Sequence, residues 1–163
     1  MEMAIENLEH ILIEHPFFMG MKQEHMDLLV GCASNVRFDA GQYILREGEE
    51  ANSFYLLRQG KAALEIYAPG RGSISIQTLG AGEVLGWSWL VPPYKWRFDA
   101  RAIELTRAIA LDGKCLRQKC EKDADLGFAL LQRFSQVMVE HLQATRLQLL
   151  NVYENRCKSE RGH

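Results

Sequence analysis

The sequence predicts a mainly β domain with helices on both sides, and three observations carry this prediction. Residues 35–112 consist of short runs rich in Val, Ile, Tyr and Phe that glycines interrupt, which is typical of a sandwich, roll or barrel. Residues 1–34 and 113–155 instead show helical patterns. A chain of 163 residues is long enough to bury one core without metal or disulfides.

The first 34 residues predict two short helices. Leu8 and Leu12 share one helical face, and Pro16 ends that helix because proline cannot continue the hydrogen-bond ladder. Apolar residues recur at the i, i+3, i+4 and i+7 positions of residues 26–33. This spacing predicts the second helix.

The strand region begins at residue 35 and ends near Asp112 and Gly113. Within residues 54–66, two strand-like runs meet at Gln59-Gly60, and this is the clearest predicted hairpin. A second hairpin is predicted at residues 69–72, where glycines again supply a turn. The last two predicted strands lie at 96–102 and 105–111.

Beyond the strands, residues 114–122 predict a short helix and residues 123–153 a long one that begins with an acidic turn. We expect residues 156–163 to form a flexible tail. The apolar stripe of the long helix either packs against the barrel or forms the seam of a parallel homodimer. The candidate interface residues on this stripe are Phe134, Met138, Leu142, Thr145 and Leu149.

Composition excludes several function classes. The 19 basic and 21 acidic residues give a net charge of -2, and no basic stripe suggests nucleic-acid binding. The N-terminus lacks a signal-peptide pattern, and no apolar run reaches the roughly 18 residues of a membrane span. We therefore expect a cytoplasmic protein. The four cysteines form no C-x-x-C pair, which favours free thiols over a zinc or redox site.

The histidines argue against catalysis on the barrel. All five lie outside residues 35–111, so no strand histidine is available to bind a metal or to activate a serine. We predict that the protein is not an enzyme and carries neither a metal nor a cofactor.

The most unusual segment is residues 80–102, which contains all three tryptophans. Glycines, a turn able to start a helix and a following Arg97 or Arg101 form a plausible anion cradle. The alternative interpretation is an ordinary structural turn beside a surface arginine.

From about residue 17 to residue 153, the chain resembles the cyclic-nucleotide-binding domain of the catabolite activator and Fnr-type regulator superfamily. The resemblance is carried by Gly48, Gly60 and Gly86, at intervals of 12 and 26 residues, by the runs 38–49 and 54–60, and by residues 142–146 on the long helix.

The resemblance implies a jelly-roll β-barrel with N-terminal helices and a long C-terminal dimerisation helix. It also implies a phosphate-binding cassette at 82–102, with a small-molecule effector, by default cAMP or another cyclic nucleotide, held between cassette and helix. The implied ligand-binding residues are Gly86, Trp87, Ser88, Arg97, Phe98 and Thr145, with Glu83 and Arg101 as further candidates.

The chain departs from the family pattern at the cassette. Trp87 stands where the family has a glutamate that accepts the ribose hydroxyl, and an indole nitrogen can only donate. The position of the cassette arginine depends on a one-residue shift that places either Arg97 or Trp96 there. The aromatic residues of the segment either pack the cassette on the barrel or bind an apolar, planar effector, and Trp87 could also fill the ribose space.

Three functions remain open. The first is a sensor of a cyclic nucleotide or related anionic effector. The second is a dimerisation or protein-interaction module with a degenerate cassette, or one that binds an apolar effector. The third is a relative of transcription regulators that acts through a separate DNA-binding partner, because a helix-turn-helix domain does not fit between the long helix and His163.

Overall fold

The computed structural model describes residues 2–161, with side chains from residue 7 onward. The N-terminal part contains α1 (Glu2–Glu14), a short 3-10 helix (Pro16–Phe18) and α2 (Gln23–Val30). The chain ends with α3 (Gly113–Lys122) and α4 (Ala124–Arg161). Between them lie β1 (Ala33–Phe38), β2 (Tyr43–Leu45), β3 (Ser53–Gln59), β4 (Ala62–Ala68), β5 (Gly72–Leu79), β6 (Val84–Leu85), β7 (Asp99–Ala102) and β8 (Thr106–Asp112).

The eight strands form two antiparallel four-stranded sheets, in the orders β1-β8-β3-β6 and β2-β7-β4-β5. Fully buried residues from both sheets, such as Leu56 and Ala100, join one hydrophobic core that also includes Leu12 of α1 and Leu130 of α4. The predicted mainly β jelly-roll fold with flanking helices is confirmed. Within residues 2–161, no helix combines the length and apolar character needed to cross a membrane.

The predicted hairpin at Gln59-Gly60 is wrong, because β3 and β4 belong to different sheets. β3 pairs with β8 and β6, whereas β4 pairs with β5 and β7. Gly60 has a φ of 94°, and a Cβ there would collide with the Leu105 carbonyl and Thr106. The glycine thus permits a close crossing between sheets. The predicted hairpin at 69–72 is confirmed by the pairing of Ala68 with Gly72.

The C-terminal helices form as predicted but extend further. The Asp112 side chain accepts a hydrogen bond from the Cys115 N–H at 2.9 Å and caps α3. α4 runs to Arg161, so helix replaces most of the flexible tail expected at 156–163, and residues 162 and 163 lie outside the described residues. No glycine or proline interrupts α4 after Gly127, which explains its length.

The expectation of free thiols is corrected at two of the four cysteines. Cys32, just after α2, forms a disulfide with Cys115 in the first turn of α3, with Cα atoms 6.0 Å apart. Cys120 is a half-buried thiol and Cys157 an exposed one. The disulfide joins positions 83 residues apart and therefore ties the N-terminal helices to the C-terminal ones.

Candidate functional site

The main candidate site is a cavity of about 360 Å³ between β4, β5, the segment 82–98 and α4. This volume lies in the range of small-molecule sites. The N-terminal 3-10 helix also borders it. The lining residues are Pro16, Phe17, Leu64, Gln77, Leu79, Gly82, Glu83, Val84, Gly86, Trp87, Phe98, Arg133, Gln136, Val137, Glu140 and His141.

Aromatic rings form much of the cavity wall. Phe98 stacks on His141 with ring centroids 5.1 Å apart and 28° between the planes, and Trp87 lies 6.5 Å from Phe98. Burial lowers the pKa of His141, so its imidazole is neutral near pH 7. The wall therefore presents flat, uncharged surfaces to a bound molecule.

Three ionisable side chains besides His141 line the cavity. The Glu83 carboxylate accepts a hydrogen bond from the Gly80 N–H at 2.7 Å, which holds the turn before β6. Glu140 projects from α4 and is exposed. The Arg133 guanidinium donates to the carbonyls of Phe17 and Met19, both at 2.9 Å. The cavity lining thus carries two carboxylates and one guanidinium.

Gly86, Trp87, Phe98 and the further candidate Glu83 all line the cavity, in the place where the resemblance puts a ligand. Gly86 has a φ of 97°, and a Cβ there would lie 2.7 Å from the Trp96 ring. Only glycine fits this close approach of ring and backbone.

The two candidate arginines lie outside the cavity. Arg97 is exposed and lines a separate surface cleft with Lys95, and its guanidinium carbon is 5.9 Å from the centre of the Trp87 ring. Arg101 donates to Glu65 at 2.9 Å, and this ion pair raises the pKa of Arg101. Neither arginine lines the cavity, and the role of either one as an anion ligand stays a prediction.

The predicted anion cradle contains a turn but no helix, and its binding of an anion stays a prediction. Residues 86–98 contain turns instead of a helix, with Leu90 N–H donating to Trp87 O and Val91 N–H to Ser88 O. A short turn lacks the row of aligned free N–H groups that a helix N-terminus offers an anion.

Buried polar atoms without a hydrogen-bond partner concentrate beside the cavity. Within the described part of the chain they are Trp87 Nε1, Ser88 Oγ, Trp89 Nε1 and His141 Nδ1. Ser88 is fully buried, so its hydroxyl bears the full cost of losing water. Two of the four atoms belong to Trp87 and His141, which line the cavity.

The predicted interface residues of the long helix differ in burial along its length. Phe134 is fully buried and packs against Phe17, Phe54 and Trp89, so its predicted place in a dimer interface is corrected. Met138 is half-buried against the core.

Thr145 donates its hydroxyl to the His141 carbonyl at 2.9 Å and does not line the cavity. Leu142 and Leu149 are 61% and 63% exposed, so these two interface candidates remain accessible to a second molecule.

The sequence analysis missed the cavity residues of α4. Arg133, Val137 and His141 occupy i, i+4 and i+8 positions and therefore share one helical face. Their spacing was visible in the sequence. The adjacent stripe of Phe134, Met138 and Leu142 is more apolar, however, and it was this stripe that predicted an interface.

No metal centre is evident, since among residues 2–161 no three His, Cys, Asp or Glu side chains gather as a metal site would require.

Comparison with known proteins supports the fold. The sequence model of the family "Cyclic nucleotide-binding domain" matches residues 35–123. A cyclic nucleotide-binding domain from Methylobacillus flagellatus superposes with a TM-score of 0.73 at 19% identity, covering 91% of this chain and 83% of that one. No curated protein sequence matches the chain.

Two further structures share the fold. The regulatory domain of Toxoplasma gondii PKA with cAMP has a TM-score of 0.68 at 20% identity, covering 81% of this chain and 50% of that one. The catabolite activator protein of Thermus thermophilus has a TM-score of 0.65 at 22% identity, covering 85% and 63%.

Proposed function

Because the chain belongs to the Cyclic nucleotide-binding domain family, we propose that it is a regulatory sensor domain whose effector binds between residues 82–98 and α4. The effector of this proposal is a largely apolar, planar molecule and not a cyclic nucleotide. One observation carries that choice: the cavity is walled by Trp87, Phe98 and His141, while the cassette arginines lie outside it.

Charge supports the same choice. A cyclic phosphate in an apolar cavity needs cationic or N–H donors to replace its water shell. Arg97 faces a different cleft, Arg101 is paired with Glu65, and the segment 86–98 forms no helix that could present N–H groups. Arg133 is the one guanidinium that lines the cavity, and it already donates to the carbonyls of Phe17, Met19 and Ala129. Glu83 and Glu140 add negative charge where a nucleotide would sit.

The cavity is placed to couple binding to a change of conformation. Its walls come from the barrel, through Leu64 and Leu79, and from α4, through Val137 and His141. An effector that contacts both bodies favours the relative position in which both contacts are made. The output of the sensor is then a shift of α4 against the barrel.

The test is a fluorescence titration with N-phenyl-1-naphthylamine, an uncharged planar probe that emits strongly in apolar surroundings. We expect saturable micromolar binding to the wild-type protein and no displacement by millimolar cAMP. Val137→Trp fills the cavity and should abolish binding. Leu147→Trp is the matched control, because Leu147 is 63% exposed on α4 and does not line the cavity.

Two results would contradict the proposal. Displacement of the probe by micromolar cAMP would restore the cyclic-nucleotide sensor. If neither the probe nor any cyclic nucleotide binds, the degenerate interaction module or the regulator with a separate DNA-binding partner becomes the better interpretation.

We also propose that α4 pairs with α4 of a second copy. Apolar side chains that are 46–68% exposed recur along one side of the helix, most of them three, seven or eight residues apart, which is the pattern of a helix–helix seam. They are Phe128, Leu131, Val139, Leu142, Leu149, Leu150 and Tyr153. This stripe shares Leu142 and Leu149 with the seam that the sequence analysis predicted and excludes Phe134, Met138 and Thr145.

Sedimentation tests the pairing. We expect the wild type to sediment as a dimer, and Leu142→Glu with Leu149→Glu to sediment as a folded monomer. Leu147→Glu is the control, because Leu147 is 63% exposed but points away from the stripe. A monomeric wild type would refute the pairing and leave the effector proposal unaffected.

A further inference from the structure

Arg133 carries the one guanidinium among the residues that line the cavity, and the sequence analysis did not single it out. It is half-buried on α4 and forms no ion pair with any described side chain. A half-buried charge without a counterion is unfavourable unless hydrogen bonds or a ligand compensate it. The half-buried positive charge of Arg133 therefore needs a compensating group.

Hydrogen bonds account for only part of its donor capacity. The guanidinium has five N–H donors. It donates to the carbonyls of Phe17, Met19 and Ala129, the last at 3.3 Å. Two donors remain, and the positive charge remains unneutralised.

We propose that Arg133 is the residue that selects the effector, by pairing with a single carboxylate on an otherwise apolar, planar molecule. The inference rests on the proposed effector site and narrows its ligand to aromatic monocarboxylates and close analogues. The carboxylate accepts the two remaining N–H groups, while the planar body lies against Trp87, Phe98 and His141.

The neighbouring charges favour one negative charge and disfavour more. Glu83 and Glu140 line the same cavity, so a dianion would meet two carboxylates with a single guanidinium to offset them. The carboxylate of Glu83 is turned to the Gly80 N–H, and both glutamates are exposed to screening water. One ligand carboxylate at Arg133 is therefore accommodated.

Arg133 also differs from the other arginines near the segment 82–98. Arg101 is already paired with Glu65, Arg97 lies over the Trp87 ring outside the cavity, and Arg117 donates to Trp89 O at 2.6 Å and covers Tyr94. Arg133 alone among these four lines the cavity.

The experiment measures displacement of bound N-phenyl-1-naphthylamine by 2-naphthoate and by 2-naphthamide, which have the same shape but differ in charge. We expect the carboxylate to bind the wild type at least about tenfold more tightly, as a charge-assisted hydrogen bond does. Arg133→Met should bring the ratio of the two affinities near one, and Arg133→Lys should keep part of it. Arg97→Met is the matched control and should leave the ratio unchanged.

The ratio separates selection from a merely structural role, because loss of the bonds to Phe17 and Met19 would weaken both ligands equally. A wild-type ratio near one overturns the inference even if no variant folds. A high ratio that persists in folded Arg133→Met also overturns it. Probe binding without carboxylate preference leaves the proposed function standing, whereas absence of probe binding overturns both.

Discussion

Removal of the Cys32–Cys115 disulfide should lower the stability of the domain by an amount that follows from its position in the chain. The bond joins residues 83 apart. In the chain-entropy description, a loop of this length restricts the unfolded state by about 4 to 4.5 kcal/mol. For a domain of this size, each kcal/mol shifts Tm by about 2–4 °C, so reduction should lower Tm by about 10–15 °C.

Urea unfolding with and without reductant measures this effect, and Cys32→Ala with Cys115→Ala should reproduce it without reductant. The control is Cys120→Ala with Cys157→Ala, which removes the free thiols and leaves the disulfide in place. Titration of thiols in the unreduced, unfolded protein should find two per chain. Four thiols, or equal urea midpoints with and without reductant, would refute the assignment.

Three further predictions concern the core and the cavity. Phe134→Ala should lower the free energy of unfolding by about 3–5 kcal/mol in urea titrations, because it removes a fully buried ring. Ser88→Ala should raise it by about 1 kcal/mol, since it removes a buried hydroxyl that has no partner in the described chain. Burial lowers the pKa of His15 and His141, so stability should be constant between about pH 7.5 and 8 and fall as the pH drops through about 6.5.

The sign of the pH effect follows from which state binds protons first. Both histidines keep their ordinary pKa in the unfolded chain and a lower one in the folded state, so acid favours the unfolded chain between the two values. His141→Phe should flatten the slope measured between pH 8 and 5. A Phe134→Ala variant as stable as the wild type would contradict the packing described for Phe134. A Ser88→Ala variant less stable than the wild type would contradict the environment described for Ser88.

The sequence predicted the helices and strands better than it predicted which of them pack or pair with each other. Helix and strand positions followed from local periodicity, and the cassette from its glycines and tryptophans. The pairing of β3 could not be predicted in this way. Leu56 and Leu57 are both buried, so β3 lacks the alternation of buried and exposed residues that marks an outer face. The disulfide was invisible for a related reason: proximity of Cys32 and Cys115 depends on how α2 and α3 pack, and nothing local encodes it.

The phase of α4 was the most consequential ambiguity at the candidate site. Phe134 and Leu142 lie eight residues apart on one side of this helix, so spacing alone did not separate the buried Phe134 from the exposed Leu142. The cavity face carries Arg133 and His141, polar residues that are not part of an apolar stripe. Which part of the helix the barrel covers decides the burial of each residue, and this is a property of the folded chain.

The length of α4 makes it a lever. The helix has 38 residues and, at 1.5 Å per residue, a length of about 57 Å. Twenty of those residues follow His141, the last that touches the cavity, and they form an arm of about 30 Å. A tilt of about 10° with its pivot at the cavity would displace the far end by about 5 Å, one helical turn. Binding of a small molecule at the cavity would thus move the end of α4 at a distance several times the size of that molecule.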